Sequence, residues 1–173
     1  MSTSDYRSVF VLEDHPATRK QLSNAIDAAA DLRTAGSAAS LKEALDWWRN
    51  GDRADVALVD LGLPDGNGID FIREICANNS ETAVLVITAF GDEKNVVAAI
   101  EAGATGYLLK EREADHVTES ILTVLNGGSP ISPSIARHLL KRFQEPEDEA
   151  TEAKVVLTRR EEEVLRQVVK GFS

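Results

Sequence analysis

Val56-Ala57-Leu58-Val59-Asp60-Leu61-Gly62-Leu63-Pro64-Asp65-Gly66-Asn67-Gly68 runs four apolar or small residues into one carboxylate and then into turn formers. The stretch reads as a buried strand that ends at Asp60 and hands over to a loop rich in Gly and Pro. A short apolar strand flanked by helices belongs in a parallel sheet, and such sheets deliver functional side chains at the carboxyl ends of their strands. Taken alone, Asp60 reads equally well as a turn cap. Three other strands that also end on a polar or charged side chain tip the balance toward a site.

Toward the N-terminus, Ser8-Val9-Phe10-Val11-Leu12 is a compact apolar strand followed directly by Glu13, Asp14, His15 and Pro16. Pro16 suits the first turn of a helix, and Leu22, Ile26 and Ala29 give that helix an apolar stripe. Residues 32–38 form a weaker strand of small residues. Ser40 and Glu43 make a capping box that opens a helix to about Arg49. Leu41, Ala44, Leu45 and Trp48 share its apolar face, and Trp47 points elsewhere. Toward the C-terminus, a helix over 68–77 turns Phe71, Ile72 and Ile75 inward and leaves Cys76 half-buried. Ala83-Val84-Leu85-Val86-Ile87-Thr88 is the most strand-like run of the chain. A helix over 92–102 is expected to bury Val96, Val97 and Ile100. Tyr107-Leu108-Leu109 is a fifth strand ending at Lys110, and Val117, Ile121 and Val124 line a fifth helix that closes before Gly127-Gly128.

Five strand–helix units in residues 1–126 predict an α/β fold, a doubly wound five-stranded parallel sheet with helices on both faces. Beyond it, residues 127–156 read as a linker that carries a helix over about 133–143, with Ile135, Leu139 and Leu140 apolar. Its last part, residues 145–152, is acidic and interrupted by Pro146. Leu157 begins a further helix with a second capping box, Thr158 and Glu161. Val164, Leu165 and Val168 are its apolar side. A single helix cannot bury that side by itself, so residues 157–173 read as the first piece of a second domain or as a helix that docks elsewhere.

The chain has 173 residues, 43% of them hydrophobic and 28% charged, an ordinary composition for a soluble protein. No run approaches a membrane span, and no signal-peptide pattern precedes Val9. One cysteine excludes an internal disulfide framework and points to a reducing cytoplasm. The net charge of −10 is the wrong sign for gripping nucleic acid over a broad surface. The three histidines show no metal-ligand spacing, and His15 reads as a solvated loop residue.

In the strand order 2-1-3-4-5, the strand ends that carry Glu13 and Asp14, Asp60, Thr88 and Lys110 meet at the switch-point crevice. Three carboxylates in one pocket repel one another, and a hard divalent cation, Mg²⁺, removes the conflict with oxygen ligands. A carboxylate there can attack phosphorus and form an acyl phosphate. Lys110 can pair with one phosphoryl oxygen and Thr88 can donate to another. At ~4 Å and an effective dielectric of ~20, one unit-charge pair is worth about 4 kcal/mol before desolvation, enough to bias a loop equilibrium.

Glu13-Asp14, Asp60 within VDLGLPDGNG, Thr88-Ala89 and GYLLK ending at Lys110 together resemble a bacterial response-regulator receiver domain over residues 6–126. The resemblance implies a flavodoxin-like fold and Asp60 as phosphoacceptor. It implies Mg²⁺ held directly by Asp14 and Asp60, by the Gly62 carbonyl, and by Glu13 through water. It also implies Thr88 and Tyr107 as a switch pair, in which the hydroxyl moves toward the phosphoryl group and the ring turns inward. Glu13 departs from the commoner Asp. The tail LTRREEEVLRQVVKGFS is similar to the opening of a LuxR-type helix-turn-helix domain of the NarL/FixJ subfamily, truncated here before the helix that enters the major groove. The implied partners are a sensor histidine kinase, a second receiver across the face of the fourth helix, fifth strand and fifth helix, and DNA only for the full-length protein.

Other classes fit less well. A phosphatase resembling the haloacid dehalogenases needs an acid two residues after the nucleophile, where Gly62 stands. A flavodoxin-like cofactor binder needs a phosphate loop where Glu13 and Asp14 would repel it, and no GxGxxG or P-loop lysine is present. A receiver that works through protein contacts without phosphorylation stays open as the alternative.

Overall fold

The computed structural model describes residues 6–78, 81–110 and 116–144. The expected acidic segment over 145–152 and the helix with the Thr158–Glu161 capping box lie outside the described residues. Residues 1–142 form one unit and are described by themselves.

The elements in chain order are β1 (Arg7–Leu12), α1 (Pro16–Ala28), β2 (Leu32–Ala38), α2 (Leu41–Arg49), β3 (Val56–Val59), β4 (Gly62–Leu63), β5 (Gly66–Asn67), α3 (Gly68–Ala77), β6 (Ala83–Thr88), α4 (Glu93–Ala102), β7 (Gly106–Leu109), α5 (Val117–Leu125) and α6 (Pro133–Gln144). The main sheet runs β2-β1-β3-β6-β7, parallel throughout. With the small β4–β5 hairpin set aside, this is the expected 2-1-3-4-5 order. Successive side chains of a strand point to opposite faces. Val9, Val11, Leu58, Leu85 and Ile87 accordingly pack with Leu22 and Ile26 of α1 and Val117 and Ile121 of α5. Phe10, Leu12, Val59, Val84 and Val86 pack with Trp48, Phe71, Ile72, Ile75 and Val96 on the other face.

Local chemistry sets the helix starts. Ser40 accepts from Glu43 N at 3.2 Å, and Glu43 reaches back to Ala39 N at 2.7 Å, so the capping box forms one residue wider than its usual pattern. Asp65, from the β4–β5 turn, accepts from Leu41 N at 2.8 Å and Lys42 N at 2.9 Å and so covers the same helix end from across the fold. His15 is exposed and caps α1 by accepting from Thr18 N at 3.4 Å. Gly68 is required by close approach, because a Cβ there would collide with the Asp60 carbonyl and Val59.

Three side chains, Val97, Ile100 and Cys76, are more exposed than the sequence expectation. In α4 the residues facing the sheet are Val96 and Ala99, one turn apart, while Val97 is half-buried and Ile100 is 36% exposed. The two inward positions are small enough to let the helix sit close. Cys76 is exposed, with its sulfur against the Gly103 carbonyl at 3.9 Å, because α3 ends there and its inward face is already filled by Ile72 and Ile75. Leu140, on α6, is 60% exposed. Trp47 is half-buried and stacks on Phe10 with ring centroids 4.2 Å apart.

Candidate functional site

The site lies at the carboxyl edge of the sheet because parallel strands end there together. The ladder continues one step past the strands. Asp60 N donates to Leu12 O at 2.9 Å, and Glu13 N donates to Ala38 O at 3.1 Å, which sets Glu13 and Asp60 side by side. Glu13, Asp60 and Thr88 are buried, and Asp14 is exposed at the rim.

Lys110 follows β7 directly and spans the cleft. Its Nζ lies 2.6 Å from Asp60 Oδ2 and 2.7 Å from Glu13 Oε2. The Asp60 contact is a hydrogen bond, whereas Glu13 Oε2 meets the ammonium as an ion pair without an aligned hydrogen bond. Glu13 Oε1 accepts from His15 N at 3.1 Å, and Asp60 Oδ1 accepts from Gly62 N at 3.3 Å. Burial pushes the Glu13 carboxyl up, against the opposing pull of Lys110, and the Asp60 charge adds to the rise. Burial works against the Lys110 charge, but its hydrogen bond to Asp60 and its ion pair with Glu13 outweigh that and raise it above the ordinary lysine value.

One carboxylate oxygen from each of Glu13, Asp14 and Asp60 falls within 4.8 Å of the others. This donor set is all hard oxygen, and it includes a buried oxygen without an aligned donor. Both features suit a small divalent cation of the Mg²⁺ type.

Thr88 Oγ1 accepts from Phe90 N at 3.3 Å. The Phe90 ring is 47% exposed and leans over Gly62, where a Cβ would lie 2.7 Å from it. Tyr107 is fully buried, and its hydroxyl donates to the Phe90 carbonyl at 2.6 Å. Burial, with the charges of Asp92 and Asp60, holds that phenol well above the ordinary tyrosine range, so it stays a neutral donor. Of the residues named from the sequence, Glu13, Asp14, Asp60 and Lys110 come together here, and Thr88 and Tyr107 meet through Phe90. The sequence reading missed the His15 cap, which has no periodic signal.

Residues 9–122 match the family model for the response regulator receiver domain. The chain is 30% identical over 165 residues to the transcriptional regulatory protein YhcZ of Bacillus subtilis, covering 95% of this chain and 76% of that protein. It is 35% identical over 133 residues to the transcriptional regulatory protein DegU of Brevibacillus brevis, covering 69% of this chain and 56% of that one. A LuxR-family two-component response regulator from Aurantimonas superposes with a TM-score of 0.73 at 26% identity, over 81% of this chain and 99% of that one. No helix among the described residues is long and apolar enough to cross a membrane. By the family match and these relatives, the chain belongs to the response regulator receiver family, a signalling module rather than a turnover enzyme, with relatives among the NarL/LuxR-type regulators.

Proposed function

We propose that this receiver takes a phosphoryl group on Asp60 from a histidine kinase in a Mg²⁺-dependent step. In the full-length, cytoplasmic protein the modified form would control DNA binding and transcription through a helix-turn-helix domain. The reading is carried by one observation: a buried carboxylate at a strand end, with an ammonium 2.6 Å from one oxygen and two further carboxylates within reach of one cation.

In the transfer, an Asp60 oxygen attacks phosphorus and forms a P–O bond. The bond from phosphorus to the kinase's imidazole nitrogen breaks, and its electron pair leaves with the imidazole. Bound Mg²⁺ would neutralise charge on the transferring group. Asp14, Asp60 and the Gly62 carbonyl would hold it directly and Glu13 through a water. Lys110 gives up its bond to Asp60 and takes a phosphoryl oxygen. Thr88 turns its hydroxyl to another, leaving Phe90 N, and forms with Tyr107 the switch pair. The new group carries roughly −1.5 to −2 charge, which makes both exchanges favourable.

The test is intact mass after incubation with a small acyl phosphate and Mg²⁺, with Asp60→Asn alongside. One added phosphoryl group, dependent on the metal and absent from the variant, is expected. The same yield from Asp60→Asn would overturn the assignment.

A further inference from the structure

Arg19 closes the first turn of α1, where a cation meets the positive end of the helix macrodipole. Its bonds account for its place there. Side chains on a helix tilt toward its N-terminus, and the half-buried Arg19 side chain runs in that direction, back over the loop between β1 and α1. Its Nη1 donates to the Glu13 carbonyl at 2.6 Å and to the Asp14 carbonyl at 3.1 Å. Arg19 N donates to the His15 carbonyl at 2.9 Å. One residue thus takes the consecutive carbonyls of Glu13, Asp14 and His15.

The two carboxylates of this loop are held in different ways. Glu13 is fixed through its side chain: it is buried, His15 N donates to its Oε1 at 3.1 Å, and Lys110 Nζ lies 2.7 Å from its Oε2. Asp14 is exposed, and among the described residues no donor reaches its carboxylate. Its backbone is therefore what keeps one of its oxygens within 4.8 Å of oxygens of Glu13 and Asp60. The Glu13 carbonyl belongs to the planar peptide before the Asp14 Cα, and the Asp14 carbonyl to the one after it. A single Arg19 nitrogen holds both planes, and with them the backbone torsions of Asp14. Hydrogen bonds from a charged donor are the strong kind. An open carboxylate on an anchored backbone suits a metal ligand, whose direction is set in advance while its oxygens stay free for the cation.

We propose that Arg19 is a positioning residue of the cation site: its guanidinium fixes the two peptides that flank Asp14, so that the Asp14 carboxylate stays beside Asp60. Arg19 does not touch the cation in this role, and its charge has the wrong sign to attract one. Positioning and charge therefore leave opposite signatures. If Arg19 acted through its charge alone, removing it would tighten cation binding. Acting through Asp14, its removal weakens cation binding by roughly 10–100-fold, the scale for losing a group that orients a metal ligand. The inference rests on the Mg²⁺ site proposed above.

The test is Mg²⁺ titration of the whole chain, followed by the amide NMR shifts of Asp14 and Gly62, with metal-free urea midpoints to check the fold. Arg19→Met keeps the aliphatic stem and removes the charge and the donors. Its Mg²⁺ dissociation constant should rise at least about tenfold. Arg19→Lys keeps the charge and one donor nitrogen, and its affinity should fall between those of wild type and Arg19→Met. In phosphorylation by a small acyl phosphate, read as intact mass, the Mg²⁺ concentration for half-maximal rate should rise by the same factor. The rate at saturating Mg²⁺ should stay near that of wild type. Wild-type Mg²⁺ binding in both variants, or tighter binding in Arg19→Met, would overturn the role of Arg19 and leave the cation site standing. If Arg19→Met does not fold, Arg19→Lys decides alone: weaker binding than wild type supports positioning, and equal binding overturns it. Wild-type protein that takes up no Mg²⁺ would overturn the cation site and the role of Arg19 with it.

Discussion

Lys110 Nζ lies 2.6 Å from Asp60 Oδ2 and 2.7 Å from Glu13 Oε2, so one ammonium holds together two buried carboxylates that would otherwise repel. The same charge occupies ground that a divalent cation would share. Removing one partner of a buried pair leaves the other's charge uncompensated.

Lys110→Ala should lower metal-free stability by about 3 kcal/mol, the scale for breaking a buried ion pair. Saturating Mg²⁺ should recover most of that loss, because the cation replaces the missing charge. Metal affinity should be kept or improved, and signalling lost. Urea unfolding with and without Mg²⁺ reads the first two effects. A variant that no longer responds to Mg²⁺ would show that Lys110 builds the cation site instead of competing with it.

Phe90 covers Gly62 yet is 47% exposed, so it contributes little to the core. Phe90→Ala should change stability by less than about 0.5 kcal/mol, as exposed substitutions usually do. It should also open the pocket to water and shorten the lifetime of the phosphoryl adduct severalfold. Time-resolved intact mass after removal of the donor measures this. A lifetime unchanged from wild type would mean that the ring does not shield the acyl phosphate.

The parts of the fold legible in the sequence were those with a period or a cap. The β-branched run 83–88 matches β6 residue for residue, and Ser40 marks the start of α2. The strand ends legible as a site meet because parallel register brings Glu13, Asp60 and Lys110 to one edge. What escaped lacks periodicity. Ile131 pairs with Tyr107 through one bridge between two prolines, which no alternation announces. Ala99 displaces Ile100 from the core because close helix–sheet packing favours the smaller side chain, a tertiary choice that hydrophobicity alone misreads. Asp65 caps a helix more than twenty residues away, and that partnership exists only once the hairpin forms.

At the opposite end of the sheet, Asp55 joins the starts of β1 and β3. It accepts from Ser8 N and Ser8 Oγ, both at 2.7 Å, and from Arg7 Nη1 at 3.1 Å. Burial alone would raise its carboxyl, but the Ser8 bonds and the Arg7 charge outweigh that and hold it below the ordinary aspartate value. A carboxylate whose folded value is depressed adds stability above its unfolded value, near ~3.9, and loses it as pH falls through the folded value. Asp55→Asn should therefore cost about 1–2 kcal/mol at pH 7, the scale of hydrogen bonds to a charged acceptor. The difference from wild type should shrink as pH drops below about 4. Urea midpoints across that range give the answer. A gap that stays constant on acidification would mean that Asp55 acts through shape and neutral hydrogen bonds and not through its charge.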